Sequence, residues 1–361
     1  MKQKKRLCIV YWDLGLGGIQ KRICDFSQAI SYDDWDVYIL LRRKISDGFE
    51  INLSPKTHVL YYPFTGRIRM PLGFVFWIAR QYIVIRPNVV VTFQSMLSVV
   101  LVILKKLFFW VPTKLVLNEG AVTSRVLKLE HIRYMSLFVR FFYPLADRII
   151  VPTNVCKRDL MQHFGIQSKK IFVVPNWTLV VPPTAARTNT FDVVYIGRFD
   201  TEKNPLYIVQ LAHTLIQYIP HLRIGMMGRG RLLWQLKEAI HQGNLQDHIQ
   251  LLPFSLDRIK ILSQSRVLVV PSFTEGMPNV VLEGAMCNIP SVLYRFPGAL
   301  EVVMDGKTGY VARTFEELAS RVHFLLRNEK KRRYMGEVAK KYVQKNFTYA
   351  TQMRFLNILL S

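Results

Sequence analysis

Cysteine is scarce in this chain. The four that occur, Cys8, Cys24, Cys156 and Cys287, stand far apart, with neither the close pairs of a metal site nor the density of a disulfide framework. They read as reduced structural thiols, the usage expected of a cytoplasmic protein. Acidic residues are few as well: 25 Asp and Glu face 49 Lys and Arg, a formal net charge of +24. So basic a chain calls for an anionic partner, and the lack of any DNA- or RNA-binding motif argues against nucleic acid in that role. Long apolar runs are missing too. Phe74 to Ala79 and Val99 to Leu104 are stopped by Arg80 and Lys105, far short of the roughly 20 residues of a membrane span. The opening Met1-Lys-Gln-Lys-Lys-Arg6, followed by Leu7 to Trp12, imitates a secretory leader, but Asp13 ends its apolar core early and no small-residue cleavage site follows. A first strand entering a glycine loop explains it better.

Apolar residues make up half of the 361, enough for two cores. Strands are expected at Lys5 to Tyr11, Trp35 to Leu41, His58 to Tyr62, Val89 to Phe93, Leu115 to Asn118 and Arg148 to Pro152, with a helix at Ile19 to Ile30. After the Pro- and Thr-rich stretch Asn176 to Thr190, strands resume at Asp192 to Gly197, Arg223 to Gly228, Ile249 to Pro253, Val267 to Val270 and Ser291 to Leu293. Helices are expected between them at Asn204 to Tyr218 and Arg231 to His241, and after them at Glu316 to Leu326, Lys330 to Asn346 and Tyr349 to Leu360. Strand–helix alternation of this kind implies an α/β fold of two doubly wound, Rossmann-like domains with a cleft between them, ligands lying at the carboxyl ends of the strands. The expected domains are residues 1–175, residues 176–345 and a closing helical segment, residues 346–361.

Residues 66–145 hold eleven Lys or Arg, Arg67, Arg69, Lys105 and Lys106 among them, against two acids, so that +9 falls in 80 residues. These charges are interleaved with aromatic and branched side chains, as an anionic membrane surface would favour. Solvated charges on ordinary helix faces are the other reading.

Glu275 and Glu283 stand eight positions apart in Pro271-Ser-Phe-Thr-Glu-Gly-Met-Pro-Asn-Val-Val-Leu-Glu283. Pro271, Gly276 and Pro278 mark a loop after the β-branched run ending at Val270, and Val280 to Met286 reads as a helix. Two acceptor-only carboxylates beside the N–H groups of a helix N-terminus suit a ligand with many hydroxyls and some negative charge, such as a sugar nucleotide. Gly15 to Gly18 opens the first helix, where backbone N–H groups can approach a phosphate. It is not a dinucleotide fingerprint, since Gln20 stands where the third glycine belongs and Leu40, Leu41 and Arg42 replace the expected acid. Asp34-Trp-Asp36 leads straight into a strand and is assigned to a turn, and the sequon Asn176-Trp-Thr178 is coincidental without an export signal.

The 275–283 segment resembles the Glu-x7-Glu motif of the family 4 retaining glycosyltransferases, the large family of bacterial surface-polysaccharide enzymes with two Rossmann-like domains (the GT-B fold). By that resemblance Glu275 takes the donor-sugar role and Glu283 the ribose role, with Gly276, Met277, Pro278 and Asn279 filling the motif. Gly197-Arg-Phe-Asp-Thr-Glu-Lys-Asn204 resembles the family's Gly-Arg-x(n)-Lys-Asn segment, which implies that Arg198 and Lys203 stabilise a departing nucleotide diphosphate. Gly17 and Gly18 match the family's N-terminal glycine loop and Gly197 and Gly228 its nucleotide-domain glycines, all on the donor side. Glu301 and Asp305 to Gly309 match a structural segment. The resemblance further implies that the last helix crosses back onto the first domain. Many relatives carry a His where this chain has Leu117-Asn118-Glu119-Gly120. Asn118 and Glu119 are therefore the acceptor-side candidates, and nearby His131 is read as a surface residue in a helical stretch.

The implied activity is transfer, with retention, of a sugar from a nucleotide diphospho-sugar (UDP or GDP type) to a lipid-linked glycan in O-antigen, capsule or lipopolysaccharide synthesis. It needs no metal, and the enzyme lies peripherally on the inner face of the cytoplasmic membrane. The alternative, favoured by the missing His, is a non-catalytic sugar-nucleotide or polysaccharide-binding protein on the same fold.

Overall fold

The computed structural model describes residues 3–15, 17–45, 52–63, 70–182, 190–253 and 258–361. The chain divides into two compact units: residues 1–174 with 352–361, and residues 175–351.

The first unit holds the strands β1 (Lys5–Tyr11), β2 (Trp35–Leu41), β3 (His58–Tyr61), β4 (Val89–Thr92), β5 (Lys114–Asn118), β6 (Arg148–Val151) and β7 (Ile171–Val173). All pair in parallel in the order β3-β2-β1-β4-β5-β6-β7. The second unit repeats the plan with β8 (Phe191–Ile196), β9 (Ile224–Met227), β10 (Ile249–Leu252), β11 (Ser265–Val270), β12 (Ser291–Tyr294) and β13 (Gly309–Ala312), ordered β10-β9-β8-β11-β12-β13. These are the two parallel-sheet, Rossmann-like domains expected of the α/β chain. The reason is visible along each central strand. Leu7 to Val10, Val89 to Val91 and Val193 to Val194 are buried on both faces, as parallel strands covered by helices must be.

The apolar runs at Phe74 and Val99 fall inside the helices Met70–Ile85 and Ser95–Leu107, of 16 and 13 residues. Among the described residues no helix is long and apolar enough to cross a membrane. All four cysteines are buried, and burial pushes the Cys8 thiol up to about 12. His131 is not helical. It follows the helix Thr123–Leu129 in a turn at φ 56, a left-handed conformation that ends the helix.

The closing helix, Tyr349–Leu360, has its residues from Gln352 onward in the first unit. Phe355 is fully buried beside Phe26, ring centroids 6.0 Å apart, and the Gln352 amide donates to the Asp25 carbonyl at 2.9 Å.

In each sheet the strand order reverses once, between β1 and β4 and between β8 and β11. In open α/β sheets such a reversal, at the carboxyl ends of the strands, is the place where ligands bind.

Candidate functional site

β8 ends at Ile196 and the chain turns at once. The N–H of Gly197 donates to the Met227 carbonyl at 3.0 Å, that of Phe199 to Arg229 at 2.9 Å, and that of Leu232 back to Phe199 at 2.8 Å. The loops after β8 and β9 are thereby zipped backbone to backbone. A Cβ at Gly228 would overlap the Gly197 carbonyl, and one at Gly230 the Phe199 backbone. Glycine is required here for close approach rather than for a turn. Gly228→Ala is expected to cost about 1–2 kcal/mol by forcing the loops apart, measurable as a lower urea midpoint at unchanged m.

Beyond Phe199 a short 3-10 turn, Thr201–Lys203, ends on Asn204 at φ 48. This turn aims Lys203 at the loop following β11, where its Nζ lies 2.5 Å from Glu275 Oε1. Ser272 Oγ donates to the same oxygen at 3.0 Å, and the Phe273 N–H donates to the Glu202 carbonyl at 2.9 Å. Arg198 pairs with Glu202 and lies 3.2 Å from Asp200, half exposed. Below them the Tyr195 hydroxyl donates to the Arg198 carbonyl at 2.7 Å. Burial, and then the Glu275 and Glu202 charges, push that phenol well above its ordinary value. β8 and β11 are neighbours, so Arg198, Lys203 and Glu275 sit together at the carboxyl ends of the two strands that flank the reversal.

The segment from Gly276 to Pro278 is buried and leads into the helix Asn279–Met286, whose cap residue Pro278 is extended and which has no side-chain cap and no acid in its first turn. Its backbone N–H groups suit an anion. Asn176, noticed in the sequence only as a sequon, is a clamp on this entry. Its amide donates to the Met277 carbonyl at 2.7 Å and to Asn279 Oδ1 at 2.6 Å. Glu283 is 2% exposed and is gripped by Arg258, Nε to Oε2 and Nη2 to Oε1, each at 2.7 Å. No local motif announces Arg258, which lies 25 residues earlier. The turn at Asp305 is structural: Gly306 has φ 73 and Asp305 Oδ1 accepts from the Val311 N–H at 3.0 Å.

In the first unit, Gly17 caps the helix Gly18–Ala29 at φ −168, an extended conformation open to any residue, with no side-chain cap. The atoms nearest to a Cβ placed there belong to the Gln20 side chain. Leu16 of this loop lies outside the described residues. Asp34 and Asp36 lie at the amino end of β2, the end opposite to the loop that follows it. Asn118 and Glu119, at the carboxyl end of β5, are both buried. Asn118 Oδ1 accepts from Arg22 Nη1 at 3.3 Å. Glu119 accepts from the Tyr143 hydroxyl and, at 3.3 Å, from Ser95 Oγ. Burial pushes its carboxyl up to about 7; the Tyr143, Ser95 and Thr123 hydroxyls pull it back, and Asp159 adds to the rise. Tyr143 is itself raised well above its ordinary value, by burial and then by the Glu119 charge. Sequence reasoning found Glu119 but not its enclosure, because Ser95 and Tyr143 come from distant parts of the chain.

Residues 16–178 match Glycosyltransferase Family 4 and residues 181–342 match Glycosyl transferases group 1. An uncharacterized glycosyltransferase of Methanocaldococcus jannaschii is 32% identical over 244 residues, 63% of this chain and 67% of that protein. The N-acetylgalactosamine-N,N'-diacetylbacillosaminyl-diphospho-undecaprenol 4-alpha-N-acetylgalactosaminyltransferase of Campylobacter jejuni is 24% identical over 338 residues, 87% of either chain. Four other curated relatives are matched in part, this chain spanning 40% to 47% of their length. Among solved structures, Anabaena HepE in complex with UDP and glucose has a TM-score of 0.81 at 15% identity over 98% of this chain and 99% of that one, a likeness of fold.

Proposed function

We propose that this chain, which belongs to the family 4 and group 1 glycosyltransferases, moves a sugar from a nucleotide diphospho-sugar to a lipid-linked glycan in bacterial surface-polysaccharide synthesis, with retention of configuration. One observation carries the reading: Lys203 and Glu275 meet at 2.5 Å where the loops after β8 and β11 face each other across the strand reversal. A cation and a carboxylate at that place serve the two ends of a nucleotide sugar, the diphosphate and the hexose hydroxyls. As the sugar–phosphate bond breaks, charge grows on the diphosphate, and Arg198 and Lys203 stabilise it. The departing phosphate oxygen takes the acceptor's hydroxyl proton, and the new bond forms on the face the phosphate leaves. Two fixed cations supply the neutralisation that a divalent metal gives elsewhere, so turnover should survive chelation with EDTA. HepE was solved with UDP, and the Campylobacter relative's name carries a diphospho-undecaprenol-linked acceptor; both support the donor and acceptor classes proposed. A thermal-shift screen over nucleoside diphosphates and their sugars tests the donor. Stabilisation by one nucleotide series supports the reading, and no shift with any of them contradicts it.

The acceptor's lipid calls for a membrane partner. Of the basic residues singled out in the sequence, Arg67 and Arg69 lie outside the described residues, Lys105 is ion-paired with Asp147, and Lys106 is exposed in the last turn of the helix Ser95–Leu107. A better-formed surface is the helix Met135–Phe142, which buries Met135 and Val139 while exposing Leu137, Phe138 and Phe141, with exposed Tyr134, Arg133 and Arg140 beside them. An amphipathic helix with apolar and cationic side chains on one exposed face suits an anionic bilayer. Each such charge contributes about 1 kcal/mol near the surface, so Arg133→Gln with Arg140→Gln should weaken binding to anionic vesicles roughly tenfold or more. The loss should be greatest at low salt, where screening is least. Lys105→Gln should change little, and equal sedimentation of wild type and double variant would contradict this docking face.

A further inference from the structure

Glu283 is enclosed, and its carboxylate is met by a guanidinium edge-on, with Arg258 Nε on one oxygen and Nη2 on the other. A carboxylate has about four lone-pair sites, and a bidentate fork uses one on each oxygen. One acceptor site on each oxygen is left, two neighbouring acceptors held in a fixed plane. That pattern matches two adjacent hydroxyls, the vicinal diol of a ribose. A lysine ammonium, a compact point charge on a flexible stem, would pair with the carboxylate without fixing its plane. We infer that Arg258 is the positioning residue for ribose recognition: it fixes the plane of the Glu283 carboxylate, so that the site distinguishes ribo- from deoxyribonucleotides. The inference rests on the nucleotide-sugar reading above and adds to it a residue that no motif supplies.

Arg258 belongs to the helix Arg258–Ser263, which precedes β11, whereas Glu283 belongs to the helix that follows it. The fork therefore ties together two elements flanking the strand whose loop carries Glu275. Both side chains are almost completely buried, Arg258 at 8% and Glu283 at 2% exposure, so the pair is fixed before any ligand arrives.

The test is calorimetric binding of UDP and GDP, each paired with its 2′-deoxy counterpart, to wild type, Arg258→Lys and Arg258→Met. Wild type should prefer the ribonucleotide of one base. Arg258→Met should lose that preference by about tenfold or more, the factor of a lost charged hydrogen bond. Arg258→Lys should fall between the two. A merely structural role would weaken ribo- and deoxyribonucleotide binding alike and leave their ratio intact, which would overturn the inference. If Arg258→Met does not fold, Arg258→Lys decides it: a full wild-type ratio in the lysine variant overturns the proposal. Failure of wild type to bind any of the four nucleotides would instead refute the nucleotide-sugar reading itself.

Discussion

Lys203→Ala should lower kcat by about 10²- to 10³-fold, the loss seen when one preorganised electrostatic contact to a developing charge is removed. Lys203 is bound to Glu275 and only partly exposed. Its removal takes away one of the two cations proposed to meet the diphosphate and also the partner that fixes the carboxylate, leaving Glu275 with Ser272 Oγ. Because the two act as a unit, Glu275→Ala and the double variant should each fall by a similar factor, far short of the product of the single losses. Lys203→Arg should recover part of the rate, since the charge returns with different geometry. Saturating-donor kinetics with a thermal unfolding control checks this. A kcat within a few-fold of wild type in a folded Lys203→Ala protein would remove the pair from the mechanism.

The second large effect concerns stability. In the unfolded chain Glu119 titrates near its ordinary 4.5, while burial raises it to about 7 in the fold. Between these values the folded state holds a proton that the unfolded state has released, so stability is lost as pH rises through this window and the loss is complete above it. It amounts to about 3 kcal/mol, taking each pH unit at 1.36 kcal/mol. Glu119→Gln keeps an acceptor for Tyr143 and cannot ionise. Urea unfolding should therefore find wild type and variant comparable at about pH 5 and the variant more stable by about 3 kcal/mol at about pH 8. Equal pH slopes in the two proteins would contradict the burial of an acid at this position.

The two sheets could be read from the sequence because their central strands are short β-branched runs bounded by glycine, proline or asparagine, as at Val267 to Val270 before Pro271. β7 and β13 carry no such signal. They are three and four residues long, at sheet edges, and β13 opens on Gly309, so neither gives a periodic signal. The loops bearing Arg198, Lys203 and Glu275 were legible through their resemblance to a known family, but the contact that joins them was not: Lys203 and Glu275 are 72 residues apart, and only the adjacency of β8 and β11 brings them together. The same limit hid Arg258 behind Glu283 and Tyr143 behind Glu119. Long-range pairs between polar side chains leave no local trace, since either partner alone reads as an ordinary surface residue. Asn176 was hidden differently, its pattern matching an unrelated signal while its amide braces the Met277 loop.

Transfer of a radiolabelled sugar from the nucleotide series found by thermal shift to an organic-extractable polyprenyl-diphosphate glycan, with the product's anomeric configuration read by NMR, tests the central claim most directly. The account predicts labelled lipid from wild type with the donor's configuration kept, and almost none from Glu275→Ala. Nucleotide binding without transfer to any lipid-linked acceptor, or an inverted product, would contradict it.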